Sequence, residues 1–223
     1  MATRRSSART SRAAAAPDRL RMGEHLRTLR KAHRMTLKTL SERSGVALST
    51  LSKMELGQIS VSYEKFAAVA RALQVDIAQL FDARAHRLPA RAPTVVRSTL
   101  ADAPSYDTDH YDYRMLATEY PGRRMTPMHG RIEARALSEF SDFVRHPGQE
   151  FIMVLAGHVR IQFETGEAVE LKRHESAYFD SGIGHVYLSL GKGDAQVLVV
   201  MSERDVVVDM PNAQGPRRRQ RAV

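Results

Sequence analysis

The clearest chemistry in this 223-residue chain lies between Leu37 and Gly57. Leu37 and Leu40 are followed by Ser44-Gly45-Val46, and then by Leu48, Ser49, Thr50, Leu51, Ser52, Lys53, Met54 and Glu55. Two short helices joined by a tight glycine turn pack at a steep angle, which leaves the second exposed along one side. Leu51 and Met54 have the spacing to anchor that helix inward, and Leu48, Ser49, Ser52 and Lys53 then face out. Such short or flexible side chains suit a DNA major groove, which admits one helix. Small hydroxyls at a helix start also suit phosphate oxygens, which free backbone N–H groups attract. The competing reading is plain structure, with Ser49 and Ser52 as solvated positions and Thr36 as a helix cap.

The elements that must position these residues are legible on either side. Helical periodicity begins near Asp18 and persists to Phe81, with Leu20, Gly23, Leu26, Leu29 and Arg30 at three- and four-residue spacing. Thr36 reads as an N-cap before Leu37, and Gly45 is placed for a left-handed turn, which glycine adopts cheaply. Leu48 to Glu55 predicts a second short helix, stopped by Leu56-Gly57. Ser62 to Leu73 predicts an amphipathic helix with Phe66, Val69, Ala70 and Leu73 inward, and Ile77 to Phe81 closes the set.

Charge is divided unevenly. Residues 1–82 hold 15 Lys/Arg against 7 Asp/Glu, while residues 83–223 hold 19 against 18, four of the basic ones being Arg217, Arg218, Arg219 and Arg221. A basic front half points to a polyanion partner, because neutralising phosphates releases counterions. The chain has no Cys, which removes disulfides, thiolate metal sites and thiol nucleophiles. No apolar run is long enough to span a membrane, so a membrane partner is not expected.

Residues 83–97 carry Pro89, Pro93 and four Arg without sustained period, and read as a linker. Beyond Asp109 the period changes to 2. His158 to Glu164 alternates cleanly, Thr165-Gly166-Glu167 follows as a hairpin turn, and Phe151 to Leu155 and Gln196 to Met201 read as strands buried on both faces. Asp107, Asp109 and Asp112, beside Tyr106, Tyr111 and Tyr113, read as a solvated loop entering the first strand. The expected fold is α+β and multidomain: an all-α five-helix domain, then an antiparallel sandwich or barrel. The expected boundaries are a disordered basic arm at 1–17, the helical domain at 18–82, the linker at 83–97, the β domain at 98–210 and a disordered basic tail at 211–223.

Residues 19–82 resemble the Cro/repressor-type helix-turn-helix of the XRE family. The likeness rests on Leu26-Arg27-Thr28-Leu29-Arg30, Leu37 to Leu40, Gly45 to Gly57 and Ala70-Arg71-Ala72-Leu73-Gln74-Val75. Ala47 stands where the family commonly has Ser, and Ser60-Val61 where a Pro usually follows. The resemblance implies that Leu48, Ser49 and Lys53, with Ser52, meet base edges, and that Thr36, Lys38 and Thr50 meet phosphates. Leu48 replaces a frequent base-reading Gln, so it would touch a thymine methyl or nothing; Lys53 would donate to guanine.

Residues 109–203 resemble a cupin, the small antiparallel jelly-roll barrel often attached to such domains. The likeness rests on Arg145-His146-Pro147-Gly148-Gln149-Glu150-Phe151, Val154 to Val159 and Ser181-Gly182-Ile183-Gly184-His185. Metal-binding cupins hold a divalent ion with three His and one Glu. By that likeness His146, Glu150 and His185 fit three positions, and Val144 stands where the first His belongs. The resemblance implies either a Fe, Ni or Zn site on that trio or a metal-free pocket in which the three bond to each other or to an effector. Tyr178 and Tyr187, at strand spacing, either line that pocket or pack in the core. Arg145 is a candidate carboxylate clamp, and His129, His158 and His174 read as surface residues.

The resulting expectation is a cytoplasmic transcriptional regulator, not an enzyme. Its cupin domain would bind a small metabolite, and it would bind double-stranded DNA as a homodimer on a near-palindromic operator. The alternatives are a cupin metalloenzyme, a dioxygenase or isomerase carrying an autoregulatory DNA-binding domain, and a protein-docking use of the helix-turn-helix.

Overall fold

The computed structural model describes residues 5–59, 61–81 and 93–202. Residues 1–4 of the expected arm, 83–92 of the linker, 203–210 and the tail 211–223 lie outside the described residues. Five helices come first: α1 (Arg5–Ala32), α2 (Leu37–Ser44), α3 (Leu48–Glu55), α4 (Tyr63–Leu73) and α5 (Ala78–Phe81). Nine strands follow: β1 (Ser105–Asp107), β2 (Tyr111–Met115), β3 (Thr126–Ile132), β4 (Gln149–Ala156), β5 (His158–Phe163), β6 (Ala168–Lys172), β7 (Ser176–Asp180), β8 (His185–Ser189) and β9 (Ala195–Ser202).

Helix α1 reaches back to Arg5, into the stretch for which a disordered arm is the sequence expectation. Four successive alanines, Ala13 to Ala16, are the strongest helix formers available, and they outweigh the single backbone bond that Pro17 removes. In α2 the Thr36 side chain accepts from Thr39 N at 3.0 Å, so Thr36 is the N-cap. Gly45 closes the same helix at φ 72°, the left-handed geometry its position requires.

The helices pack around Leu26, Leu29, Leu40, Leu51, Met54, Phe66 and Leu73, all essentially inaccessible. Helix α1 crosses the end of α3 so closely that a Cβ on Gly23 would lie 2.5 Å from Met54 O and 2.7 Å from Glu55 O. Two turns further along, Arg30 reaches Glu55 with two bonds of 2.5 and 2.8 Å and gives a third, of 2.8 Å, to Met35 O. A fork of this kind fixes angle as well as distance, so it locks α3 against α1 from the inner side. The outer side of α3 is left open.

The β domain is a pair of antiparallel sheets, six strands in the order β1-β2-β3-β9-β4-β7 and three in the order β6-β5-β8. Val144, on the segment that leads into β4, pairs with the first residue of β8, exchanging backbone bonds of 3.1 and 3.0 Å with His185. Strands β4 and β9 alternate between buried and partly exposed positions, so they are covered on one face only, contrary to the expectation from their apolar runs. Among the described residues, the outward face of β4 and β9 stays partly exposed. The strand buried throughout is β8, because the chain passing through Ala134 and Val144 covers it; Ser189 N donates to Ala134 O at 2.8 Å.

The aspartates also need correction. Asp107 and Asp112 face each other across the β1–β2 hairpin, with Asp109 in its turn. The period-2 pattern sends Tyr106, Tyr111 and Tyr113 inward, where all three are buried. Tyr106 docks the two domains. Its hydroxyl donates to Val61 O at 2.6 Å, and its ring meets Phe66 edge-on at 5.1 Å and Phe81 at 5.4 Å, with Tyr113 stacked at 6.0 Å. An ion pair of Arg123 with Asp76, at 3.0 Å, supports the same junction.

Glu55→Ala leaves the Arg30 guanidinium with Met35 O as its recorded acceptor, and should destabilise the protein by about 3 kcal/mol in urea denaturation. Gly23→Ala should cost about as much by forcing α1 away from α3. Gly45→Ala, with open space around it, should cost only about 1 kcal/mol from backbone strain.

Candidate functional sites

Two surfaces stand out. The first is the outer edge of α3. Leu51, Met54 and Glu55 face inward, while Leu48 is 46% exposed and Ser49 and Lys53 are exposed beside it. Ser52 and Thr50 are half-buried. At the start of α2, Thr36 and Lys38 are exposed, with Lys38 near Glu42 at 4.0 Å. The structure thus gathers Thr36, Lys38, Leu48, Ser49 and Lys53 on open surface. Thr50 instead sits on the wall of a cavity between the two domains.

That cavity, of about 440 Å³, is the second site. Its floor is the trio His146, Glu150 and His185, fully or almost fully buried. Glu150 rides at the start of β4, whose pleat turns it inward. His185 opens β8, and His146 lies on the segment before β4, its backbone N–H held by Ser181 O at 3.0 Å. His146 Nε2 stands 2.9 Å from Glu150 Oε2, and His185 Nε2 3.5 Å from the same oxygen. Tyr187 donates its hydroxyl to the other carboxylate oxygen. His185 Nδ1 is 2.9 Å from Ile183 O, which directs Nε2 toward Glu150.

Burial by itself would raise the Glu150 pKa. The hydrogen bonds from His146 and His185, together with their charges, overcome it and bring the carboxyl to about 2. Burial likewise opposes the charge on His185, but Glu150 prevails and raises its pKa. Tyr187 is pushed well above the usual phenol range by burial first and the Glu150 charge second, so it stays a neutral donor. Burial does the same to Tyr111 and Tyr113.

The trio fits a divalent ion. Donor atoms on adjacent corners around bonds of about 2.1 Å lie roughly 3.0–3.4 Å apart, close to the two separations found here. All three residues offer ligand atoms within 4.8 Å of one another. His146 Nδ1 is buried and has no hydrogen-bond partner among the described residues. Val144, at the position where a cupin's first histidine would stand, lines the cavity with an apolar side chain instead.

Two candidates fall outside the cavity. Tyr178 alternates outward on β7, 65% exposed, with its hydroxyl on Gln149; its neighbours Ala177 and Phe179 take the inner face. Arg145 is engaged with Glu164 and Asp142 at the rim. Of the three histidines read as surface residues, His174 is exposed, while His129 and His158 are half-buried beside Gln196 and Glu170. Tyr187 lines the cavity as one reading had it. Sequence reasoning missed Tyr63, Tyr111, Tyr113 and Phe140 in the same wall. The period-2 run from Tyr111 to Tyr113 was the available signal for two of them; Tyr63 and Phe140 gave none.

Comparison with known proteins agrees with this geometry. Residues 26–80 match the helix-turn-helix family model and residues 138–201 the cupin domain model. No curated protein matches the chain. Among solved structures, a helix-turn-helix family transcriptional regulator from Vibrio cholerae is 16% identical, with a TM-score of 0.58 over 85% of this chain and 99% of that one. Hydroxypropylphosphonic acid epoxidase from S. wedmorenis is 19% identical, with a TM-score of 0.44 over 83% of this chain and 99% of that one. The first likeness speaks to fold alone, and the second is too distant to carry an argument. The protein therefore joins a helix-turn-helix domain to a cupin domain.

Tyr187→Phe removes one donor from a buried carboxylate and should destabilise the protein by roughly 1–3 kcal/mol. Tyr178→Phe, on open surface, should shift stability by less than about 0.5 kcal/mol. Paired thermal melts check both.

Proposed function

We propose that this protein is a sequence-specific DNA-binding transcriptional regulator whose cupin domain senses a small metabolite and thereby modulates operator binding. The observation that carries the reading is the free outer edge of α3, with Leu48, Ser49 and Lys53 presented to solvent by a helix whose other side is locked by Leu51, Met54 and Glu55. Leu48 and Ser49 meet bases at the N-terminal end of the helix, and Lys53 reaches a guanine. Thr36 and Lys38 hold the backbone, and Ser52, half-buried on α3, assists the base contacts. Thr50 is the weakest of the phosphate candidates, since it faces the cavity.

One short helix gives too little contact for a useful site. A homodimer on a near-palindromic operator, with half-sites about one helical turn apart, supplies the rest. Such a partner places the protein in the cytoplasm. The cavity behind it binds the effector over His146, Glu150, His185 and Tyr187, and its walls offer both rings and polar groups to a small molecule.

A second reading is favoured by the trio itself. His146, Glu150 and His185 would hold a divalent Fe, Ni or Zn ion, which supplies Lewis-acid chemistry when bound. The chain would then be a cupin metalloenzyme with an autoregulatory DNA-binding domain.

Footprinting on genomic fragments tests the regulator reading, and affinity should fall steeply as salt rises. Lys53→Ala should cost about 1–3 kcal/mol at one base position; a loss uniform across sequences would make Lys53 a phosphate contact. No protected region at low ionic strength would end the proposal. Metal analysis separates the second reading: one tightly bound ion per chain, lost in both His146→Ala and His185→Ala, with turnover of a metabolite, would establish it.

A further inference from the structure

The cavity is not a property of the cupin domain alone. Its far wall is built by the helix-turn-helix domain, from Thr50 on α3, through Ile59 and Val61 in the following loop, to Tyr63 at the start of α4. Tyr63 is 4% exposed, and its ring meets the His146 imidazole edge-on, with centroids 5.2 Å apart. His146 in turn bonds Glu150 and lies 5.6 Å from His185, ring to ring. A direct chain of contact therefore runs from the cavity floor to the first residue of α4. Helix α4 packs on α2, and α2 on α3. Thr50 brings the cavity to α3 itself.

We propose that the effector site is an interdomain site, with Tyr63 the residue through which the state of the His146–Glu150–His185 floor biases the recognition helix. This rests on the regulator reading above and adds its route of control. A molecule that fills the cavity meets His146 and Tyr63 together, and favours whichever arrangement of that pair fits it best. Rings packed at this density shift between discrete arrangements rather than deform smoothly. Moving Tyr63 turns the N-terminus of α4, and with it the packing of α2 and α3. Tyr63 acts here as a positioning residue, with no contact to DNA of its own.

The test is a double-mutant cycle read as operator affinity, which needs no knowledge of the effector. Fluorescence anisotropy on a footprinted fragment compares the wild type, His146→Ala, Tyr63→Ala, the double variant and Tyr63→Phe. Circular dichroism confirms that each is folded, and His146→Gln replaces His146→Ala if the latter is not. The expected result is a change in operator affinity of about fivefold or more on altering His146, falling below about twofold when Tyr63 is already Ala. Tyr63→Phe, which keeps the ring, should preserve the His146 effect, whereas a purely structural role would not distinguish Phe from Ala through His146. If the wild type binds DNA and the two substitutions add independently, or altering His146 leaves affinity unchanged, this inference is overturned while the regulator reading stands. If the wild type binds no DNA fragment, both fall.

Discussion

The insertion of Tyr106 between the two domains is the constraint on which the functional geometry depends. Its ring is held on one side by Phe66 and Phe81 of the helical domain and on the other by Tyr113 of the sheet. Its hydroxyl meets the carbonyl of Val61, in the loop that leads into α4. Aromatic pairs of this geometry contribute beyond the area they bury. Desolvating the phenol would be costly without the Val61 acceptor. The outcome is a helix-turn-helix seated against the cupin domain, so that the cavity is lined by both.

Within that cavity the governing term is the burial of a charge. Glu150 is fully removed from water and remains a carboxylate because His146, His185 and Tyr187 all turn hydrogens or positive charge toward it. An isolated buried charge would cost several kcal/mol. The same arrangement that stabilises the anion also brings two imidazoles to one carboxylate oxygen, which is a metal-ready geometry. Val144 in place of a third imidazole gives the site an apolar side and pairs with His185 of β8 through its backbone. The front domain shows the complementary logic. The Arg30–Glu55 fork and the close approach at Gly23 fix α3 from within, which frees its opposite edge.

Much of this was legible in the chain order of residue types. Leu48 to Glu55 and Tyr63 to Leu73 read as helices because three- and four-residue spacing of apolar side chains is a local signal, and the Thr36 cap and Gly45 turn are local too. The strand His158–Phe163 was equally plain from alternation and the turn after it. Errors arose where burial depends on what packs against an element. The apolar runs of β4 and β9 suggested two covered faces, yet among the described residues one face of each strand stays partly exposed. Tyr178 and Tyr187 had equal claims by spacing, and the pleat of their separate strands sent one outward and one inward.

The sequence by itself determined the two domain types, the exposed edge of α3 and the identity of His146, Glu150 and His185 as a candidate set. The edge of α3 rests on spacing within one element, while the domain types and the trio rest on likeness to known families carried by short motifs. Only the tertiary structure decided that Tyr63 and Thr50 share a cavity with residues about a hundred positions away, that Tyr106 joins the domains, and that Tyr178 lies outside the site. Those are long-range contacts, set by how sheets and helices close on each other, and no local period encodes them.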